Sequence, residues 1–226
     1  MRKRKRKEAR MKYKCLVLDH DDTVVDSTRT IHYPSFLEFL AKNRPGERPT
    51  IEKYLYDNFW GLDHFFYDIM HFTPEEKEAQ YQQWLRYVDT HVPPAFPGMR
   101  EVMERFIAAG GHICVVSHSM RKYIERDYRV NGLPQPEMIF GWDEPEEMRK
   151  PAPGPLLAIM ERLNLRPADL LMVDDLKPGK DMADACGVDF TAVGWGTYVP
   201  EIEAFMRRES RMYCKTVAEL EALVFE

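Results

Sequence analysis

In this chain, polar residues capable of chemistry sit where short apolar runs end. Asp19-His20-Asp21-Asp22-Thr23 follows Cys15-Leu16-Val17-Leu18, Ser117-His118-Ser119 follows His112-Ile113-Cys114-Val115-Val116, and Asp174-Asp175 follows Leu170-Leu171-Met172-Val173. Lys150 lies between the last two groups, just ahead of Pro151-Ala152-Pro153-Gly154-Pro155. If Asp19, Asp21, Asp174 and Asp175 converge with a lysine and a hydroxyl, their charges repel unless a cation joins them. Oxygen-only donors select a hard ion, so Mg²⁺ is the expected cofactor. A carboxylate nucleophile, a metal and hydrogen-bond donors together would serve phosphoryl transfer.

The elements that must carry these residues are legible. Apolar, β-branched runs at about 14–19, 112–117, 137–141, 169–174 and 189–194 read as buried parallel strands. Helical spacing over 99–109, 120–131, 155–163 and 180–186 supplies crossovers, and Gly110-Gly111 and Asn131-Gly132 close the first two. This predicts a doubly wound α/β core in which ligands bind outside the carboxyl ends of the strands. Between the first two strands lie about 80 residues, too long for an ordinary crossover. Residues 28–96 hold 15 of the 27 aromatics without strand-like alternation, so a small helical domain with an aromatic core is expected there. Asn43 to Pro49 reads as a loop between its helices, and Pro93-Pro94 and Pro97-Gly98 mark the return to the core. The predicted organisation is a basic tail over 1–13, a core from 14–27 and 97–226, and an inserted helical domain over 28–96.

Composition narrows the partners. At 44% hydrophobic and 12% aromatic residues the chain has material for a real core, which excludes wholesale disorder. Its apolar runs fall far short of the ~18 residues of a membrane span. Residues 2–14 hold nine Lys or Arg against one Glu, so a net charge of -5 leaves about -13 on the rest. An acidic body argues against nucleic acid as the main partner, since duplex binding needs a basic surface. The tail itself is expected to stay solvated and without packed structure. Cys15, Cys114, Cys186 and Cys214 form no C-x-x-C pair, which fits a reducing compartment, and the expected location is the cytoplasm.

The polar strand ends, taken in order, resemble the haloacid dehalogenase superfamily of aspartate-nucleophile phosphotransferases. Asp19 to Thr23 matches the first motif, D-x-D-x-T, and Val24-Val25-Asp26-Ser27 continues it; Ser117 resembles the second, Lys150 the third and Asp174-Asp175 the fourth. The likeness runs from Cys15 to about Gly194, with the insert where the family's helical cap belongs. It implies a Rossmann-like core and roles by position. Asp19 becomes the nucleophile that forms an aspartyl phosphate, and Asp21 the general acid and base. Ser117 and Lys150 bind the transferring phosphoryl, with Lys150 also holding Asp19. Asp19, the main-chain carbonyl of Asp21, Asp175 and Asp174 hold Mg²⁺. His118 is assigned either to the structure or to the lining of the phosphate pocket, and His20 either to the substrate or to backbone positioning.

Some positions depart from the family pattern. Asp22 replaces the commoner Gly, His20 a usual apolar residue, and Leu176 a frequent Ser; Gly179, four residues after Asp175, resembles the branch containing β-phosphoglucomutase. Asp181 is out of phase and is assigned as an ordinary helix residue. His32 falls one residue beyond the cap-hinge histidine of some relatives, so the resemblance gives it no role. The expected function is a Mg²⁺-dependent phosphatase acting on a small phosphorylated metabolite, with phosphoglycolate phosphatase the nearest named class. A phosphomutase of the β-phosphoglucomutase kind is the alternative, and a partner- or RNA-binding protein using the basic tail is the non-enzyme alternative. Oligomeric state is not readable.

Overall fold

The computed structural model describes residues 11–225. Its centre is one six-stranded sheet in the order β3-β2-β1-β4-β5-β6, with every neighbouring pair parallel. The strands are β1 (Cys15–Leu18), β2 (His112–Val116), β3 (Met138–Phe140), β4 (Leu170–Asp174), β5 (Asp189–Val193) and β6 (Met212–Cys214). Alternation sorts each central strand between two apolar layers, which is why the runs are continuous in sequence. Leu16, Leu18, Leu171 and Val173 pack on one face with α4 (Met99–Ala108), α5 (Arg121–Val130) and α9 (Val217–Val224). Cys15, Val17, Leu170 and Met172 pack on the other with α6 (Gly154–Leu163), α7 (Lys177–Cys186) and α8 (Pro200–Glu209). Among the described residues no helix is long and apolar enough to cross a membrane.

Some boundaries differ from those predicted. β6 is too short and too exposed to show periodicity, and it pairs as an edge through Ala192 and Tyr213. α7 begins at Lys177 rather than near residue 180, because Pro178 sits in its first turn, where a missing N–H costs nothing. Residues 1–10 of the predicted tail lie outside the described residues. Its last three do not stay unpacked: Lys12 donates its backbone N–H to the Val224 carbonyl (3.0 Å), and Tyr13 is buried with its hydroxyl on Asp189 (2.8 Å). The apolar surface of Tyr13, added to the core beside Phe106 and Val224, outweighs the solvation of its charged neighbours.

Residues 28–90 are helical wherever they are regular. A π-helical turn over Thr28–His32 leads into α1 (Tyr33–Asn43), followed by α2 (Ile51–Asn58), a second π-helical turn over His64–Ile69, and α3 (Pro74–Thr90). Local sequence explains the starts. Thr50 accepts from the Lys53 N–H at the head of α2, and Thr73 and Glu76 form a reciprocal capping box at α3 with Pro74 in the first turn. Arg44, where α1 ends, forks onto Glu76 (2.8 and 2.6 Å) and donates to the Met70 carbonyl, so the end of α1, the α3 cap and the end of the second π turn meet at one side chain. Between the helices Phe36, Phe39, Tyr54, Phe65, Phe66 and Phe72 form a closed ring cluster. The two chain crossings to the core run side by side: Asp26 donates to the Pro94 carbonyl (2.9 Å) and Phe96 to the Val24 carbonyl (3.0 Å).

Candidate active site

Parallel register is what assembles the site. Leu18 lies level with both Val115 and Val173, so the residues that follow all three strands emerge at one edge of the sheet, and Asp19 donates its N–H to the Val173 carbonyl (2.9 Å). Lys150 arrives from the loop after β3 with its side chain almost wholly buried. Its ammonium donates to Asp19 Oδ1 (2.6 Å) and to Asp174 Oδ2 (2.7 Å). Burial opposes a charge on Lys150, but Asp174 and Asp19 outweigh it and raise its pKa above the ordinary value. Asp174 uses its other oxygen to accept the Leu176 N–H (2.8 Å).

Asp19, Asp174 and Asp175 each bring a carboxylate oxygen within 4.8 Å of the other two, and all three are buried. One lysine cannot neutralise three carboxylates. Burial pushes Asp174 up to about 7, and burial together with Asp22, Asp174 and Asp19 pushes Asp175 well above the carboxylate range. Asp175 Oδ2 accepts from Thr197 Oγ1 (2.8 Å), whereas Oδ1 is buried with no partner. An orphaned carboxylate oxygen beside two more carboxylates, with only oxygen donors around, fits a hard divalent cation.

Asp21 is held differently. Its carboxylate accepts from Ser119 Oγ (2.5 Å) and pairs with His32 Nε2 (3.2 Å). The Trp84 indole N–H, which can only donate, is directed at His32 Nδ1 (3.0 Å), so the imidazole proton is placed on Nε2, facing Asp21. Burial pushes Asp21 up, but the hydrogen bond from His32, the charge of the nearby imidazoles and the hydrogen bond from Ser119 outweigh it and hold the carboxyl below its usual range. Ser117, buried at the end of β2, accepts the Ser119 N–H on its Oγ (3.0 Å) and so shapes the turn that delivers Ser119.

The structure brings together Asp19, Asp21, Lys150, Asp174 and Asp175, with Ser117 beside them. His118 lines the same cavity; it donates from Nε2 to the Lys150 carbonyl (3.1 Å), and burial with the nearby lysine charge lowers its pKa. The expectation that His20 binds substrate is corrected. Its side chain lies on the opposite side of the strand end from Asp19 and Asp21. There it is buried against Asp127 (3.1 Å) and Tyr128 (ring centroids 5.8 Å) and does not line the cavity. Period-two alternation explains this: flanked by two residues that face the cavity, His20 faces the helix layer.

Asp22 adopts a left-handed conformation (φ 55°), which explains why glycine is common there; Asp tolerates it, and its carboxylate accepts the Thr28 N–H (3.0 Å). Gly179 is required for another reason. A Cβ at that position would sit 2.0 Å from Asp174 Oδ2, so a side chain would displace the carboxylate that grips Lys150. Asp181 pairs with Lys177 on α7, outside the cluster. Ser119, His32, Trp84 and Thr197 were not assigned roles from sequence. Ser119 and Thr197 both follow strands, β2 and β5, so extending the strand-end rule by a few residues finds them, whereas nothing local links His32 to Trp84.

Asp19, Asp21, Lys150 and Asp175, with Ser119 and Thr197, line the floor of a cavity of about 910 Å³ whose other wall is the insert, including Tyr54, Phe59, Trp60, Tyr67, Tyr81 and Trp84. The predicted aromatic core holds for the Phe36 cluster, but Trp60, Tyr67, Tyr81 and Trp84 stand outside that cluster and line the cavity.

Comparison with known proteins agrees with this architecture. Residues 16–193 match the model of the haloacid dehalogenase-like hydrolase family. A phosphoglycolate phosphatase of Nitrosospira multiformis is 30% identical over 119 residues, 53% of this chain, and the match spans about half (51%) of that relative's length. Among solved structures, a conserved haloacid dehalogenase-like protein of unknown function from Agrobacterium tumefaciens superposes with a TM-score of 0.79 at 14% identity, covering 93% of this chain and 97% of its own. CbbY of Rhodobacter sphaeroides, in complex with xylulose-(1,5)bisphosphate, superposes with a TM-score of 0.69 at 17% identity, covering 92% and 96%. These two likenesses concern the fold. With the family model matched across the strands that carry Asp19, Ser117, Lys150 and Asp174-Asp175, the chain belongs to the haloacid dehalogenase-like hydrolases.

Proposed function

We propose that the protein is a Mg²⁺-dependent phosphatase that hydrolyses a phosphate monoester of a small metabolite through an aspartyl phosphate on Asp19, as in the phosphoglycolate phosphatase class. The observation that carries this is Lys150 clamped between Asp19 and Asp174 at the meeting point of parallel strand ends, with Asp21 oriented separately two residues away. Asp19, Asp175 and the Asp21 carbonyl would hold the metal, with Asp174 as a further carboxylate, and the ion would supply charge neutralisation for the phosphoryl oxygens.

In the first step an Asp19 carboxylate oxygen attacks phosphorus, an aspartyl O–P bond forms, and the bond to the leaving oxygen breaks. Asp21 supplies the proton that oxygen needs. Its ground-state carboxylate is ionised; the negative phosphoryl beside it raises its proton affinity when substrate binds, and Asp21 takes up the proton of the monoester monoanion and passes it to the leaving oxygen. In the second step Asp21 takes a proton from water as that water displaces Asp19 from phosphorus. Lys150 offsets the charge on Asp19 and the phosphoryl, and Ser117 would donate its hydroxyl to a phosphoryl oxygen. His32 and Ser119 fix the Asp21 rotamer, while residues 28–96 act as a cap that keeps bulk water from the intermediate.

Phosphate release should be measured with Mg²⁺ and with EDTA across aryl, sugar and nucleotide phosphates and phosphoglycolate, for the wild-type chain and Asp19→Asn. Release that depends on Mg²⁺ and falls about 10⁴-fold or more in the variant is expected. Undiminished release by Asp19→Asn overturns the assignment, and an isomerised sugar phosphate without free phosphate identifies a mutase instead.

A further inference from the structure

Charge is distributed unevenly around the cavity. Lys77 and Lys150 are its only lysine or arginine side chains among the described residues, and each is already paired. Lys150 is held by Asp19 and Asp174, while Lys77 is bound to Asp63 and lies over the Tyr67 ring. The imidazoles offer no free cation either: His32 directs its proton to Asp21, His64 pairs with Asp68 (2.9 Å), and burial disfavours a charge on His118. Asp63 and Glu78 add negative charge to the same wall. A carboxylate on the leaving group, as glycolate has, would be desolvated there without a partner.

Rings fill the place that cations would occupy. Trp60 and Trp142 line the cavity with 45% and 44% of their surface accessible, a large apolar area left uncovered on two fixed side chains. Both are held by neighbouring side chains. Trp60 packs edge-on against Phe59 and Phe205 (5.0 and 5.2 Å), and Trp142 meets His118 edge to face (5.7 Å) with the Arg149 guanidinium 4.7 Å from its centre. Tyr81 and Trp84 stack at 5.8 Å, and Trp84 stacks in turn on His32 at 6.2 Å, so the ring-lined wall continues to the group that contacts Asp21. The volume, about 910 Å³, suits a ligand far larger than a two-carbon alcohol.

From the cavity's paired cations and exposed rings we infer that its substrate is a phosphate monoester whose leaving group is a flat, uncharged ring system, seated on Trp60 and Trp142. This rests on the phosphatase reading above, keeps its chemistry, and narrows the small metabolite to one that carries a ring. Ring stacking of this kind is sequence-tolerant toward any π face, so an aryl alcohol and a nucleoside share the chemistry.

The test is equilibrium binding to full-length Asp19→Asn in Mg²⁺, by calorimetry, with 1-naphthyl phosphate, adenosine 5′-monophosphate and phosphoglycolate as probes. At least one ring-bearing ester should bind about tenfold or more tightly than phosphoglycolate, and which one does separates an aryl from a nucleoside substrate. Adding Trp60→Ala or Trp142→Ala should cut that preference about tenfold, whereas Trp60→Phe and Trp142→Phe should retain most of it. Phosphoglycolate binding as tightly as both ring esters, or alanine variants that weaken all three probes equally, overturns the inference. Because turnover is not read, this outcome is separable from failure of the phosphatase reading, which appears as absent phosphate release in the wild-type protein.

Discussion

The cavity has a floor and a wall built by different means. On the floor, five charged side chains are held within hydrogen-bonding reach of one another or of a few hydroxyls, and every one follows a strand or the loop beside it. On the wall, Tyr54, Tyr67, Tyr81 and Trp84 project from helices and a π-helical turn of the insert, which has its own phenylalanine cluster, while Trp60 comes from the turn after α2 and Trp142 from the loop after β3. A strand end can deliver a residue to one place only, so the floor tolerates almost no change. The wall is a surface whose rings need only remain braced, so its chemistry can vary while the fold stays the same.

That contrast predicts unequal sensitivity. Lys150→Met should be the most damaging substitution beside the loss of the nucleophile. It leaves Asp19 and Asp174 facing each other in a buried site, at a cost of up to about 3–5 kcal/mol where both stay ionised. Turnover should fall about 10²–10³-fold, the scale of losing one preorganised donor. Urea unfolding at pH 5 and pH 8 checks the cause, because protonated carboxylates no longer repel and the deficit should shrink at pH 5. An equal deficit at both values would mean that packing, not charge, is what Lys150 contributes.

A smaller effect of the same origin should appear in metal-free protein as pH rises. Asp174 and Asp22 have folded-state values raised to about 7, and Asp175 lies well above the carboxylate range, all mainly through burial. Between the unfolded carboxylate value near 3.8 and these folded values, the native state binds more protons than the unfolded one, so these groups lose stability as pH increases. Asp175→Asn removes one of them. Measured in EDTA, its stability relative to wild type should therefore climb from pH 4.5 to pH 8, and Mg²⁺ should raise the thermal midpoint of the wild type more than that of the variant. A pH-independent difference would break the link between the acidic floor and a cation.

The wall gives the smallest predicted response. Arg44→Ala removes the fork onto Glu76 and the bond to the Met70 carbonyl, costing about 1–3 kcal/mol as charge-assisted bonds are lost. Amide exchange should accelerate across α1 and α3 while the strands stay protected. Loss of protection spreading equally into β1 and β4 would show that insert and core unfold as one unit, and that the two regions differ less than their construction suggests.

How far each region was legible in sequence follows the same division. Apolar runs ending in Asp19, Ser117 and Asp174 identified strands and site together, because a buried parallel strand is both continuous in sequence and polar where it emerges. Lys150 was found by its place among those motifs. β6 escaped because its three residues lie at an edge with incomplete burial, and α8 and α9 were left unread. In the insert, aromatic content and the absence of alternation predicted helices, yet Phe36 and Trp60 look alike in sequence, although one is fully buried and the other is 45% exposed on the cavity.

Sequence alone determined which groups are chemically capable: the Asp19-x-Asp21 pair, the strand-ending serine, the lysine and the double aspartate, together with the parallel α/β arrangement that aligns them. Those are local properties, set by residue type and by periodicity over a few residues. Tertiary structure decided that His32, not His20, faces Asp21, that Thr197 holds Asp175, and that Trp60 and Trp142 line one cavity from opposite parts of the chain. Each of those outcomes depends on which surfaces meet after the helices pack. That is fixed by the shape and burial of the whole chain, not by any window along it.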